Sequence, residues 1–398
     1  MKYEKIRFGD LYAIGSRNGL SKPSKVRGLG YKMINMGELF ANDRIYDIPM
    51  ELVPLKEKEK INAKVEAGDL LFARQSLVLE GAGKCSIVME VSPLTVFESH
   101  LIRVRLLEEA NPSFYYYYFR SALSPIKSIV SQCAQAGIRG SDLQELCVLY
   151  PPKKTQDRIA NILEQYDNLI ENNQKQIKLL EEAARRLYKE WFVDLHFPGY
   201  EDVEIVDGVP EGWTFGVLGD VAINSGKKEK KEKRDNYKYY LPIDCIPKKS
   251  LGYIQVNDVS LAKSSLIGFQ KGDIIFGAMR PYFHKVVVAR DKGLTRTTCF
   301  VLNAKDPSYW SYLAMLLFTK DTVDYATQIS VGTTMPYVRW NDMRNMPVII
   351  PDLEIAERFN KQIQPIIDNI ASLSEQVILL QQARDRLSPK LMSGEIEV

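Results

Sequence analysis

The chain has 398 residues, 45% of them hydrophobic, and a formal net charge of +3. That is enough for two or three domains with sizeable cores, and too balanced to mark a nucleic-acid binder by charge alone. No apolar stretch is long enough to span a bilayer, no signal-peptide pattern opens the chain, and Cys85, Cys133, Cys147, Cys245 and Cys299 lack paired spacing, so a reduced, cytoplasmic setting is expected.

In chain order, Gly9-Asp10 is followed by a stretch carrying Arg17, Lys22, Lys25, Arg27 and Lys32 with no acidic residue. Such a stretch suits phosphate contacts, with a solvated basic loop as the competing reading. Gly68-Asp69-Leu70-Leu71-Phe72 leads into Arg74. Gly81-Ala82-Gly83-Lys84-Cys85 lacks the first glycine of a phosphate-binding loop and has Cys where Ser or Thr would bind magnesium, so a hairpin turn is expected there. Ser86 to Met89 and Leu101 to Arg105 read as strands among turn residues. Asn111-Pro112-Ser113-Phe114 is a cap and first-turn signal for a helix near 112–123. It approaches the Asn-Pro-Pro-aromatic signature of adenine methyltransferases, but Ser113 stands in place of the second proline. Tyr115 to Tyr118 offer stacking surfaces, although core packing is the favoured role. Gly137-Ile138-Arg139-Gly140 provides a flexible backbone and an Arg able to fork onto guanine.

After Asp142, Leu146, Val148 and Pro151 comes a seam with steps of three and four: Leu163, Tyr166, Ile170, Asn173, Ile177, Leu180, Ala184 and Leu187. This is the pattern of a coiled coil. A helix from Thr155 to Phe192 would span roughly 55 Å at 1.5 Å per residue.

The same order then recurs. Gly219-Asp220 precedes a basic run containing Lys227, Lys228, Lys230 and Lys231, and Gly272-Asp273-Ile274-Ile275-Phe276 precedes Arg280. Lys285 to Val288 reads as a strand, and Asp306-Pro307-Ser308-Tyr309 opens a helix near 307–320. Thr333, Thr334 and Tyr337 lie in a loop before Asp342, Met346, Val348 and Pro351, and their hydroxyls suit base edges or phosphates. For any one of these arginines or glycines, a surface ion pair or an ordinary turn competes with DNA contact. A second seam follows: Ile363, Ile366, Ile370, Leu373, Val377, Leu380, Arg384 and Leu387. Because a domain precedes each helix, the second can pair with the first only by running back, so an antiparallel pair is expected. Pro365 should bend the second helix or delay its start, and Pro389 should end it, leaving Leu391 outside the seam. Arg384 is expected to snorkel or to pair with a docked partner's carboxylate, and Asn173 to fix register, with a tolerated imperfection of the seam as the competing reading for both.

No active site is legible. His100, His196 and His284 show no metal-ligand spacing with each other or with Cys, and no nucleophile-elbow pattern is present. No catalytic residue and no metal site are assigned.

The chain resembles the DNA-specificity subunit of type I restriction-modification systems along essentially its whole length. The marks are Gln156, Arg158-Ile159, Ile162-Leu163, Asp167 and Ile170, then Leu187-Tyr188 and Trp191-Phe192, and Asp207-Gly208-Val209-Pro210-Glu211-Gly212-Trp213. The second copy closes with Leu387, Pro389, Leu391 and Ser393-Gly394-Glu395-Ile396. The resemblance implies an α+β chain with two mixed α/β target-recognition domains in tandem, separated and joined by two long helices forming an antiparallel coiled coil. The expected boundaries are 1–151 for the first recognition domain, 152–193 for the first helix, 194–351 for a linker and second recognition domain, and 352–398 for the second helix and tail.

It further implies a chain without cofactor or catalysis that binds double-stranded DNA. Two methyltransferase subunits would bring S-adenosylmethionine, and restriction and translocase subunits would bring ATP and magnesium. Two specified blocks of about three to five base pairs, separated by roughly five to eight, would match reading heads about one duplex turn apart. A single-chain adenine methyltransferase would need a glycine-rich cofactor loop and an intact catalytic tetrapeptide, and a protein-only coiled-coil scaffold would leave the repeated basic loops unexplained.

Overall fold

The computed structural model describes residues 3–132, 136–263 and 265–398, so Cys133 lies outside the described residues. It divides into two compact units. The first comprises residues 1–168 with 381–398, and the second 169–380.

The first unit is built on a five-stranded sheet in the order Tyr12–Asn18, Leu101–Leu106, Leu70–Ala73, Cys85–Val88, Arg44–Ile45. Successive strand residues point to opposite faces, and both faces here are covered. Leu70, Phe72, Ile87, Ile102 and Val104 enter one core, with the aromatic helix Pro112–Arg120. Leu71, Ala73, Val88 and Leu101 enter another, beside a three-stranded sheet of Glu51–Val53, Tyr31–Ile34 and Val96–Phe97. Burial on both sides is why Leu70–Ala73 reads as an unbroken apolar run, and Leu101–Leu106 is largely buried although Arg103 and Arg105 interrupt it. Tyr115 to Tyr118 are buried in the first of these cores.

The second unit repeats the plan. Its four-stranded sheet runs Ala222–Asn224, Cys299–Ala304, Ile274–Gly277, Val286–Val288. Ile274, Phe276, Phe300 and Leu302 face one core, and Ile275, Val287, Cys299 and Val301 face the other. Gly68 and Gly272 both have φ in the left-handed region, at 88° and 86°. The aspartate after each accepts the amide of the residue three before it, Asp69 from Glu66 and Asp273 from Gln270. The duplication therefore extends to individual turns.

Between strands Leu70–Ala73 and Cys85–Val88 the glycine-rich segment is not a tight hairpin. The connection holds a short strand, Gln75–Ser76, and a 3-10 turn, Leu79–Gly81. Lys84 is occupied there, donating to the Phe40 carbonyl and pairing with Asp43.

The long helices are Lys153–Phe192 and Leu353–Ser393. Pro365 neither delays nor interrupts the second helix, and Pro389 does not end it. A proline leaves an acceptor without its donor, but Leu391 and Met392 beyond Pro389 are buried in the first unit's core with Ile159 and Leu163. That burial outweighs the local defect. Within the first unit Arg384 pairs with Asp167, whose other oxygen accepts the Tyr117 hydroxyl at 2.7 Å. Arg384 thus meets a carboxylate of its own chain. Within the second unit Asn173 donates to Gln376 at 3.1 Å, and Ile177 packs with Ile370 and Leu373. Because the partner number falls from 376 to 373 and 370 as the first rises from 173 to 177, the two helices are antiparallel there. Ile367 is 2% exposed and lies nearer the core than Ile366 of the expected seam.

Glu181 is buried beneath a turn of the second unit, accepting from Ser250 Oγ and from the amides of Leu251 and Gly252. Burial raises its pKa, and those three donors oppose the shift. A carboxyl whose folded pKa exceeds its unfolded value binds the proton more tightly when folded. Its contribution to stability therefore falls as pH rises from the unfolded value through the folded one. Glu181→Gln retains an acceptor oxygen without that titration. The stability difference between wild type and Glu181→Gln is expected to change over the pH range just above the ordinary glutamate value, and a pH-independent difference in urea unfolding would refute this.

Candidate DNA-contacting surface

The loops expected to read bases are placed by the ends of interior strands of the repeated sheets. In the first unit, Arg74 follows the central strand Leu70–Ala73. Its amide donates to the His100 carbonyl at 2.8 Å, and its own carbonyl accepts the Ile138 amide at 2.9 Å. In the second unit Ala278 takes the same place, donating to Thr298 at 2.9 Å and accepting from Val338 at 3.0 Å. The loop before each repeated aspartate is therefore clamped to the end of a buried strand. Arg280, paired with Arg74 by sequence distance, lies two residues beyond the true equivalent.

The clamp gathers some expected residues. Arg74 and the exposed Arg139 share one hydrogen-bonded strip, and Gly140 approaches Ser16 and Ile102, so that an added Cβ would sit 3.3 Å from Ser16 Oγ. Arg17 is exposed on the adjoining strand, opposite Arg103. Among the described residues neither Arg17, Arg74 nor Arg139 forms an ion pair. In the second unit Arg280 and the exposed Thr333 and Thr334 gather likewise, Arg280 Nη2 donating to the Thr334 carbonyl at 3.2 Å. Tyr337 is partly spent on structure, its hydroxyl donating to Thr297 and its ring lying near Phe300.

The basic stretch of the first unit behaves differently. Lys22 pairs with Glu59 at 2.8 Å, Arg27 with Glu51 at 2.5 Å, and Lys32 with Asp47 at 2.7 Å. The Lys22 and Lys32 ammonium groups hold the Glu59 and Asp47 carboxyls below their usual range. The stretch lacks acids in sequence, but the fold supplies them from distant segments. Lys25 alone among these four is exposed and unpaired among the described residues. By contrast, Lys227, Lys228, Lys230 and Lys231 are all exposed and without ion pairs among the described residues.

Sequence reasoning missed Arg339. It is exposed and precedes the short helix Trp340–Met343, as Arg139 precedes Gly140–Gln144. The internal repeat that aligned Asp142 with Asp342 was sufficient to find it. Gln75 and His100, with Met36, Phe40, Ser76 and Leu77, line a cavity beside the Arg74 strip.

The features that approached catalytic signatures serve structure. Asn111 Oδ1 caps the amide of Phe114, and its Nδ2 donates to Asp157 at 2.7 Å. Asp306 caps Ser308 in the second unit. His284 is buried with Nε2 against the Phe318 carbonyl, and burial lowers its pKa. Among the described residues no group of three His, Cys, Asp or Glu could hold a metal, and no helix is long and apolar enough to cross a membrane.

A family model described as the type I restriction modification DNA specificity domain matches residues 1–182 and 210–381. The type I restriction enzyme MjaIX specificity subunit of Methanocaldococcus jannaschii is 27% identical, over 72% of this chain and 69% of that protein. The EcoDI specificity subunit of Escherichia coli is 23% identical, over 81% of this chain and 82% of that protein. The S subunit of a type I restriction-modification system from M. genitalium has a TM-score of 0.62 at 15% identity, covering 98% of this chain and 96% of that one. At that identity the likeness is one of fold. With the family's domain matched twice, over most of its length, the chain belongs to the type I restriction-modification DNA specificity family, as a non-catalytic specificity subunit.

Proposed function

We propose that each unit reads one half of a bipartite, asymmetric DNA target, with recognition domains at 1–151 and 194–351 and the paired long helices setting the number of base pairs between the halves. The observation that carries this reading is the repeated clamp, which presents Arg139 and Arg339 on equivalent loops without a carboxylate partner among the described residues. An unpaired Arg on a loop held by a buried strand is suited to base edges or phosphates, since its position is set before DNA arrives. Arg17, Lys25, Arg74, Lys227, Lys228, Lys230, Lys231, Arg280, Thr333 and Thr334 extend the contact surface. Lys22, Arg27, Lys32 and Tyr337 would have to exchange an existing partner to join it.

In this reading two methyltransferase subunits bring S-adenosylmethionine and the chemistry of adenine modification. Restriction and translocase subunits, with ATP and magnesium, add cleavage. This chain supplies the address. The test is to purify it with and without its methyltransferase subunits and to map modified adenines on random DNA. The expected product is one split motif, made only by the assembled complex. A single uninterrupted motif would refute division between two units, and methyl transfer by the isolated chain would refute its non-catalytic role.

Arg139→Ala and Arg339→Ala are each expected to weaken binding by about 1–3 kcal/mol if the Arg meets a base, with relaxed preference confined to one half-site. If either meets a phosphate, affinity should fall evenly across sequences and the salt slope should drop by about one. Unchanged affinity in both variants would remove the clamped loops from the interface.

A further inference from the structure

We infer that Arg280 reads a guanine within the half-site of the second unit, an inference that rests on the function proposed above. With Arg74 equivalent to Ala278, the next residues Gln75 and Ser76 correspond to Met279 and Arg280. The two heads therefore present different chemistry at one position. Ser76 turns its hydroxyl to the amide of Val78 in its own loop, whereas Arg280 is held for contact.

Three features show how it is held. The backbone of Arg280 is left-handed, at φ 50° and ψ 58°, a region that bulky residues avoid and that is further disfavoured before a proline such as Pro281. Its amide donates to the Pro336 carbonyl at 2.7 Å, and Nη2 donates to the Thr334 carbonyl. Nε is enclosed without a hydrogen-bond partner, and no carboxylate pairs with the guanidinium among the described residues. The base of the guanidinium is thereby fixed, while Nη1 and the second hydrogen of Nη2 remain for a ligand.

A fork of two N–H groups with a fixed plane matches the O6 and N7 acceptors of guanine. Phosphate also accepts an arginine fork, but such a contact carries no base preference, and it is the base preference of the second half-site that separates the two ligands. The exposed Thr333, Thr334 and Met335 beside Arg280 leave the approach open.

The test uses the assembled complex with its methyltransferase subunits. Arg280→Lys keeps the charge without the fork and should lower preference for one guanine of the second half-site roughly tenfold to hundredfold, leaving the first half-site as an internal control. Arg280→Gln should move that position toward adenine. A measurement without any variant uses duplexes carrying 7-deazaguanine, which lacks the N7 acceptor, at each guanine of the second half-site in turn. One position should weaken the wild-type complex and have no added effect on Arg280→Lys. The inference is overturned if every guanine preference survives in Arg280→Lys, if no 7-deazaguanine position matters, or if affinity falls equally on all sequences as for a phosphate contact. A wild-type complex with no sequence preference would instead remove the proposed function itself.

Discussion

Arg384→Ala is expected to destabilise the first unit by about 3–5 kcal/mol, the usual cost of leaving one member of a buried ion pair without its partner. Asp167 is 4% exposed, and it accepts from both Arg384 and Tyr117. Removing the guanidinium leaves the buried carboxylate with the Tyr117 hydroxyl but without its cation. The expected readout is a lower urea midpoint. Converting Asp167 and Arg384 together to leucine, with Tyr117→Phe so that no buried hydroxyl loses its acceptor, should recover most of the loss, since apolar residues of similar size often replace a buried pair at little cost. A single variant that unfolds with the wild type would show that the pair contributes no net stability.

Removing one heptad from each long helix, residues 169–175 and 375–381, is expected to abolish modification at the parental motif. Seven residues correspond to about 10.5 Å of helix, or roughly three base pairs of duplex. Two linked binding modules gain on the order of 10²–10⁴ in affinity only while both engage together, and the gain is lost when geometry forbids it. Loss at the parental site should therefore be of that size. Any surviving modification should fall on a motif with a gap about three base pairs shorter. Unchanged modification at the parental gap would show that the helices do not set it.

Much of the architecture was legible because duplication left two copies of each signal. Gly68-Asp69 and Gly272-Asp273 open matching strands, and Asn111 and Asp306 open helices, as their capping chemistry requires. The helical seam was readable because its period depends on local geometry alone. Pro389 misled because local chemistry argued for a helix end, whereas burial of Leu391 and Met392 is a tertiary effect that no spacing encodes. The same reason hid the partner of Arg384, since Asp167 precedes it by about 200 residues.

The contact surface was harder to read. A run without acids such as 17–32 reads as free positive charge, yet Glu51, Asp47 and Glu59 neutralise three of its residues from other segments. In Lys227 to Lys231 the four lysines themselves stay in solvent, so composition and structure agree. Arg74 and Arg280 were paired by counting, but equivalence is set by which amide meets which carbonyl, and that places them two residues apart. Arg339 needed only consistent use of the repeat.

The first unit is assembled from the beginning and the end of the chain, with Leu391 and Met392 in its core. During synthesis, domains generally fold from the N-terminus as they emerge, but this core lacks two of its buried side chains until the last helix has left the ribosome. The later-made unit can close first. A premature stop just before the final helical turns would thus be felt far upstream, where Phe8, Leu11, Ile159 and Leu163 would wait, partly uncovered, for a plug that never arrives.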